Sequence, residues 1–185
     1  MFHRSENLFM RPAWIEDAKA VTQGIGEEVI VRNLARAPWP YTMDNAVEFL
    51  SRLDDGSKLP RFALTLPGEV DGPLVGMCGL HEDEDRVELG YWIARQWWGR
   101  GIATEAAKAV LEVARAMGFA RIHAGHFVDN PASGRVLEKA GFRFTGEMRP
   151  QFSLARGETV MSRRYAIDLA DGPEEFSPYE MKRAA

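Results

Sequence analysis

Residues 95–114 read "RQWWGRGIATEAAKAVLEVA", and the reading of this stretch decides the fold. Two indoles precede a glycine–arginine–glycine turn. An alanine-rich segment follows, with Ile102, Ala106, Val110 and Val113 at helical spacing. The first N–H groups of a helix have no partner within it, and the helix dipole places partial positive charge there. An anion docked at that end satisfies both, and phosphates are common occupants. Bulky side chains would hold a diphosphate off the backbone, whereas Gly99 and Gly101 let it approach. Arg100 adds positive charge and Thr104 offers a hydroxyl. The turn formed by Trp98, Gly99, Arg100, Gly101, Ile102, Ala103 and Thr104 therefore reads as a diphosphate cradle. A plain tight turn is the competing reading.

Two other phosphate loops do not fit. The nucleotide-hydrolysing pattern G-x-x-x-x-G-K-[ST] does not occur. The dinucleotide pattern G-x-G-x-x-G fails because, counted from Gly99, its last position holds Thr104. That pattern also usually opens a series of parallel strands, and here three strands are expected before the strand that carries the turn.

Working outward, "ENLFMRP" reads as a strand ending at Pro12, and "WIEDAKAVTQGIG" as a helix with Gly24 as its stop. Two prolines make "RAPWPYT" irregular, after which Thr42 caps a helix through "MDNAVEFLSRL". "RFALTL" and "PLVGMCGL" read as a hairpin around "PGEVDG". "HEDEDR" is expected to be a solvated loop and "VELGYWI" a strand. Beyond the alanine-rich helix, a strand starts near Arg121. "NPASGRVLEKAGF" is then a helix with Pro131 in its first turn and Gly141 at its C-terminal end. "FRFTGEM" and "ETVMSRRYAID" are the last strands. The chain thus reads as α/β: a mixed, mostly antiparallel sheet flanked by helices. One right-handed crossover makes "VELGYWI" and "RIHAGHFV" parallel neighbours. The glycine turn then lies at the C-terminal edge of the sheet, where open α/β sheets bind ligands.

Composition narrows the function classes. The chain has 185 residues and a net charge of −4, which argues against a nucleic-acid partner. One cysteine, Cys78, rules out an intramolecular disulfide and suits a reducing compartment. Its apolar setting, "PLVGMCGL", reads as a core position rather than a nucleophile. No apolar run is long enough for a membrane helix and no secretion signal opens the sequence, so a cytoplasmic protein without a membrane partner is expected. Exposed strand edges leave room for a homodimer. His123 and His126, three apart in a strand, point to opposite faces; His3 and His81 look isolated in exposed segments. No histidine spacing suits zinc, so no metal is expected. Trp97 and Trp98 are expected to pack the turn against the sheet or line a ligand channel.

Alternation along "VELGYWI" puts Val87, Leu89, Tyr91 and Ile93 on one face and Glu88, Gly90 and Trp92 on the other. A carboxylate between buried strands is partly desolvated, which raises its proton affinity, so Glu88 is a candidate general base. A solvated strand carboxylate is the other reading. Gly90 is a candidate point of strand distortion. Asn130 and Ser133 each suit helix capping.

Taken together, "VELGYWIARQWWGRGIATEAAKAVLEVA" and "DNPASGRVLEKAGF" resemble the core of the GCN5-related N-acetyltransferase (GNAT) superfamily. The resemblance is strongest to bacterial acetyltransferases of ribosomal-protein N-termini (RimJ/RimL-like), and the opening "ENLFMRPAWIEDAKAV" shares it. It implies a domain over residues 7–168 followed by a tail, 169–185. It also implies a splayed central parallel pair, acetyl-CoA as donor, and transfer to the amine of a protein N-terminus or small molecule. In register with this family, backbone around Trp92, Ile93 and Ala94 pairs with pantetheine and Asn130 contacts the same arm. Ser133 lies near the sulfur as a candidate general acid, and a glutamate at the Glu88 position recurs as a base candidate. Gln96, Gly99 and Gly101 match the family's diphosphate signature literally. Alignment on the helix start instead makes Trp98, Gly101 and Ala103 equivalent, with tryptophan replacing the polar first member. Residues 24 to 45 and 146 to 160 are expected to flank the acceptor, with "RAPWPYT" as a wall and "HEDEDR" as an attractant for a cationic amine. A non-catalytic acyl-CoA sensor on the same fold is the alternative from another class. A nicotinamide-dependent oxidoreductase is a third.

Overall fold

Eight strands form one sheet whose order along the sheet is β1-β2-β3-β4-β5-β6-β8-β7 in the computed structural model, which describes residues 1–53, 58–67 and 72–169. The strands are β1 (His3–Arg4), β2 (Phe9–Arg11), β3 (Arg61–Thr65), β4 (Gly76–Asp83), β5 (Arg86–Ile93), β6 (Arg121–Phe127), β7 (Arg143–Ser153) and β8 (Glu158–Asp168). All neighbours are antiparallel except β5 and β6, the pair joined by the alanine-rich helix. That is the mixed sheet and the parallel crossover read from the sequence.

Helices cover both faces. α4 (Ile102–Ala116) buries Ala106, Ala107, Val110, Leu111 and Ala114, and with α5 (Pro131–Ala140) it encloses a core that includes Leu80, Leu89, Ile122 and Tyr165. Small alanines on its buried face let α4 lie close against the sheet. The opposite face packs on α1 (Ala18–Ile25), α2 (Glu28–Val31) and α3 (Met43–Leu53) through Val21, Ile30, Leu50, Met77 and Trp92. Asn130 caps α5, its side chain accepting from the Ser133 N–H at 3.3 Å, and Gly141 ends that helix at φ +103°. Thr42 caps α3 through the Asn45 N–H at 3.3 Å.

Several expectations change. "HEDEDR" is not a loop: β4 runs on through Asp83 and β5 begins at Arg86, leaving a two-residue turn with Glu84 at φ 56°. Pairing favours the longer hairpin, because each added residue gains a cross-strand partner, His81 with Glu88 among them. Gly24 does not stop α1, which continues through Ile25 to a C-cap at Gly26. A Cβ at Gly24 would lie 3.0 Å from the Trp92 ring, so its role is close packing. The short α2 carried no separate signal in the sequence. His3 and Arg4 pair with Met10 and Phe9, and Leu169 is buried; the rest of "LADGPEEFSPYEMKRAA" and most of "PGEVDG" lie outside the described residues. Among the described residues no helix is long and apolar enough to cross a membrane.

Candidate active site

The glycine turn leaves a row of unused donors. The backbone N–H groups of Gly99 through Thr104 meet no acceptor among the described residues, and intrahelical bonding starts with Glu105, which donates to the Gly101 carbonyl at 3.0 Å. Gly99 and Gly101 have φ of +75° and +79°, the left-handed region that other residues occupy only at a cost. A Cβ built at either position would meet nothing within 4 Å, so these amides adjoin open space. Trp98 departs from the expected donor set. Its N–H donates to the Arg95 carbonyl at 3.1 Å and its indole N–H to the Ile93 carbonyl at 2.7 Å. The row of unused donors therefore starts at Gly99, and Trp98 instead ties the turn to the end of β5. The Arg100 guanidinium lies over the Trp97 ring at 4.7 Å.

Beside this turn the sheet opens. β5 and β6 pair only at Glu88 with His123 and Leu89 with Ala124, although β5 continues to Ile93 and β6 to Phe127. The separation begins at Gly90, without a bulge: β4 and β5 stay in uninterrupted register there, and Gly90 makes room for the His81 ring. Antiparallel pairs alternate between bonded and non-bonded residues. Ala94 donates to the Val75 carbonyl at 2.9 Å, so the main-chain groups of Ile93 and Tyr91 point the other way, into the gap. Of the three backbone positions expected to meet a pantetheine arm, Ala94 and Trp92 thus turn their main chain toward β4. Ile93 keeps its N–H toward the gap.

The N-terminal turn of α5 stands over this gap. The Tyr91 hydroxyl lies 2.7 Å from Ser133 Oγ, and burial pushes its phenol pKa up, holding it protonated. His126, expected on the opposite face from His123, is buried against Gly134, with Nδ1 2.8 Å from the Phe127 carbonyl.

Glu88 lies further along the same opening and is 5% exposed. The carboxylate is buried between strands as expected, not solvated, and it also has charged neighbours. The guanidinium of Arg164, itself 2% exposed, pairs with it, and an Arg149 nitrogen lies 3.8 Å away. Arg164 reaches Glu88 across β6 because its register partner is Gly125, where a Cβ would fall 2.3 Å from its Nη1. An interior strand glycine marks close approach; Gly125 in "RIHAGHFV" hints at a crossing without naming the side chain that makes it. His81 is not isolated in an exposed segment. It sits opposite Glu88 on β4, and burial, with the charges of Arg36, Arg61 and Arg164 outweighing Asp83, lowers its pKa to about 4. It is therefore a neutral imidazole at neutral pH. Asp83 binds Arg36 at 2.9 Å and also Arg149. Despite burial, these partners lower the Asp83 pKa, so the acids of "HEDEDR" are partly spent within the protein.

One cleft of about 1390 Å³ joins these parts. Its lining includes Glu88, Trp92, Ile93, Trp98, Gly99, Gly101, Ile102, Ala103, Thr104, Asn130 and Ser133, but not Ala94 or Arg100. The far half is walled by α2, α3 and the loop between them, including Pro38 and Tyr41 of "RAPWPYT". That loop is fastened to the β7–β8 hairpin: Leu154 N–H donates to the Ala35 carbonyl at 2.9 Å, and Arg156 Nε to the Arg32 carbonyl at 2.6 Å. Residues 24 to 45 and 146 to 160 thus meet at the cleft. Cys78 is buried, and its thiol is pushed far up from its ordinary pKa, so it offers no thiolate nucleophile.

Comparison with known proteins accords with this arrangement. The family described as Acetyltransferase (GNAT) domain matches residues 7–143, most of the chain. The chain belongs to the GNAT acetyltransferases. This chain is 36% identical over 98 residues to the uncharacterized N-acetyltransferase YoaA of Bacillus subtilis (strain 168); the match spans 51% of this chain and 55% of YoaA, about half of that relative. A GNAT-family acetyltransferase from Bacillus anthracis superposes with a TM-score of 0.78 at 26% identity, covering 91% of this chain and 99% of that one. RimL, a ribosomal L7/L12 α-N-protein acetyltransferase solved with coenzyme A, shares the fold: TM-score 0.75, 18% identity, 91% of this GNAT chain and 98% of RimL.

Proposed function

We propose that this acetyltransferase uses acetyl-CoA and passes the acetyl group directly to a primary amine, on a protein N-terminus or a small molecule. One observation carries this reading: the unpaired N–H row from Gly99 to Thr104 opens onto the same cleft as the buried carboxylate of Glu88. The donor set fits a diphosphate, since backbone N–H groups at a helix N-terminus favour anions. RimL, which shares the fold, was solved with coenzyme A, and that supports the choice of carrier. When bound, acetyl-CoA supplies an activated acetyl thioester. The amides of residues 99–104 hold its diphosphate, and Asn130 and the Ile93 N–H orient the arm. Glu88 takes a proton from the acceptor amine, directly or through one water, and Ser133 donates toward the sulfur. The protonated Cys78 supports direct transfer rather than a covalent enzyme intermediate. Its single reduced cysteine also suits the cytoplasm.

Glu88 already has a partner in Arg164, and this favours a second reading, a non-catalytic acyl-CoA sensor. Two measurements separate the cases. Acetyl-CoA should raise the unfolding temperature in both, because a ligand of the native form stabilises it. A screen of amines and N-terminal peptides for coenzyme A release should find turnover only for the enzyme. Absence of any stabilisation at millimolar acetyl-CoA would reject both.

A further inference from the structure

We propose that Tyr91 is a positioning residue for departure of the thiol, acting through Ser133. This rests on the acyl-transfer reading above. The Tyr91 hydroxyl lies 2.7 Å from Ser133 Oγ and 3.3 Å from the Ser133 carbonyl, joining β5 to the first turn of α5. Tyr91 stands just beyond Leu89, the last β5 residue paired with β6, so the bond crosses the mouth of the splay. Both residues line the cleft.

The donor direction is read from the two distances. Ser133 Oγ at 2.7 Å is nearer to the Tyr91 hydroxyl than the Ser133 carbonyl at 3.3 Å, and in our reading Tyr91 donates to that oxygen. The Ser133 proton must then point elsewhere. The Ser133 N–H is engaged with Asn130 Oδ1 at 3.3 Å, which leaves the hydroxyl as the group this residue can aim into the cleft. A lone serine hydroxyl rotates; one that accepts from Tyr91 has its remaining hydrogen directed. During transfer the nitrogen–carbonyl carbon bond forms, the carbon–sulfur bond breaks, and the electron pair leaves on sulfur. Ser133 donates a hydrogen bond to that developing charge. The proton released by the amine goes to Glu88 or its water, so neither hydroxyl is consumed.

A mere fastener of α5 to β5 would make the same contact but not the same kinetics. Tyr91→Phe should lower kcat about tenfold, the value of one neutral hydrogen bond, with KM for acetyl-CoA changed less than about twofold. Ser133→Ala should cost more, and adding Tyr91→Phe to it should cost nothing further. A second readout needs no turnover: calorimetric titration of coenzyme A across the ionisation of its thiol. Wild type should bind more tightly as the thiolate forms, and both single variants should flatten that rise. Wild-type kcat in Tyr91→Phe, an equal penalty in the Ser133→Ala background, or an unchanged coenzyme A profile would each overturn the proposal. A wild-type protein that neither binds acetyl-CoA nor releases coenzyme A would instead remove the acyl-transfer reading itself.

Discussion

The glycine turn and the centre of the cleft are built by opposite means. At the turn, consecutive residues from Gly99 to Thr104 present main-chain N–H groups, and no side chain is needed to complete them. At the centre, Glu88, Arg164, Arg149 and the neutral His81 come from β5, β8, β7 and β4, and these side chains meet only because of strand register. A backbone site depends on φ and on helix position. A side-chain site depends on partners supplied from far along the chain. The first should tolerate most substitutions except at glycine; the second should respond to changes in charge and in pH.

The sharpest way to break this contrast is Glu88→Gln. Loss of a general base should lower kcat about 10³-fold while leaving the acetyl-CoA dissociation constant within about twofold. The same change leaves Arg164 buried without its counter-charge, so denaturant unfolding should show a loss of about 3–5 kcal/mol. Replacing both members, Glu88→Leu with Arg164→Leu, should restore most of that stability and none of the turnover. Recovery of activity in the double variant would show that Glu88 is structural only.

Acid should disturb the centre next. The folded pKa of His81 is about 4 against an ordinary 6.5, so the unfolded chain binds the proton first as pH falls. The stability that depends on neutral His81 is complete above about pH 6.5 and is lost as pH falls to about 4, with a size on the order of 3 kcal/mol at most. Urea unfolding across that window should show the loss, and His81→Gln should flatten it. An unchanged slope in the variant would assign the acid sensitivity to other groups.

At the turn, Gly101→Val must hold a β-branched residue at φ +79°. Acetyl-CoA affinity should fall about 30-fold by calorimetry, with kcat at saturation reduced less than about threefold. The smallest effect belongs to Arg52 and Glu48, a pair on the exposed side of α3 with both side chains more than half exposed. Arg52→Ala should change unfolding stability by less than about 0.5 kcal/mol. A larger loss would give this ion pair a role in the acceptor wall.

The same contrast explains what could be read from the sequence. The turn, the parallel crossover and the caps of α5 are local, so spacing and residue type expose them. The splay was read by likeness to a family, and the opening beyond Leu89 agrees with it. Arg164 could not be assigned without knowing that β8 lies beside β6 with Gly125 opposite, although an interior glycine hinted at a crossing. His81 was misplaced because a cluster of acids looks like a solvated loop, whereas pairing carries it into β4. Tyr91 and Ser133 are far apart in sequence, and nothing in either segment signals that their hydroxyls meet. Trp98 was expected as a donor in the cradle; its indole instead closes on the Ile93 carbonyl, a contact that only the folded turn creates.

The central claim concerns where the carrier sits, and a crystal structure of the acetyl-CoA complex tests it most directly. The diphosphate oxygens should accept from the N–H groups between Gly99 and Thr104, with the thioester between β5 and β6 beside Ser133. A diphosphate bound elsewhere, with those N–H groups still facing solvent, would contradict the account.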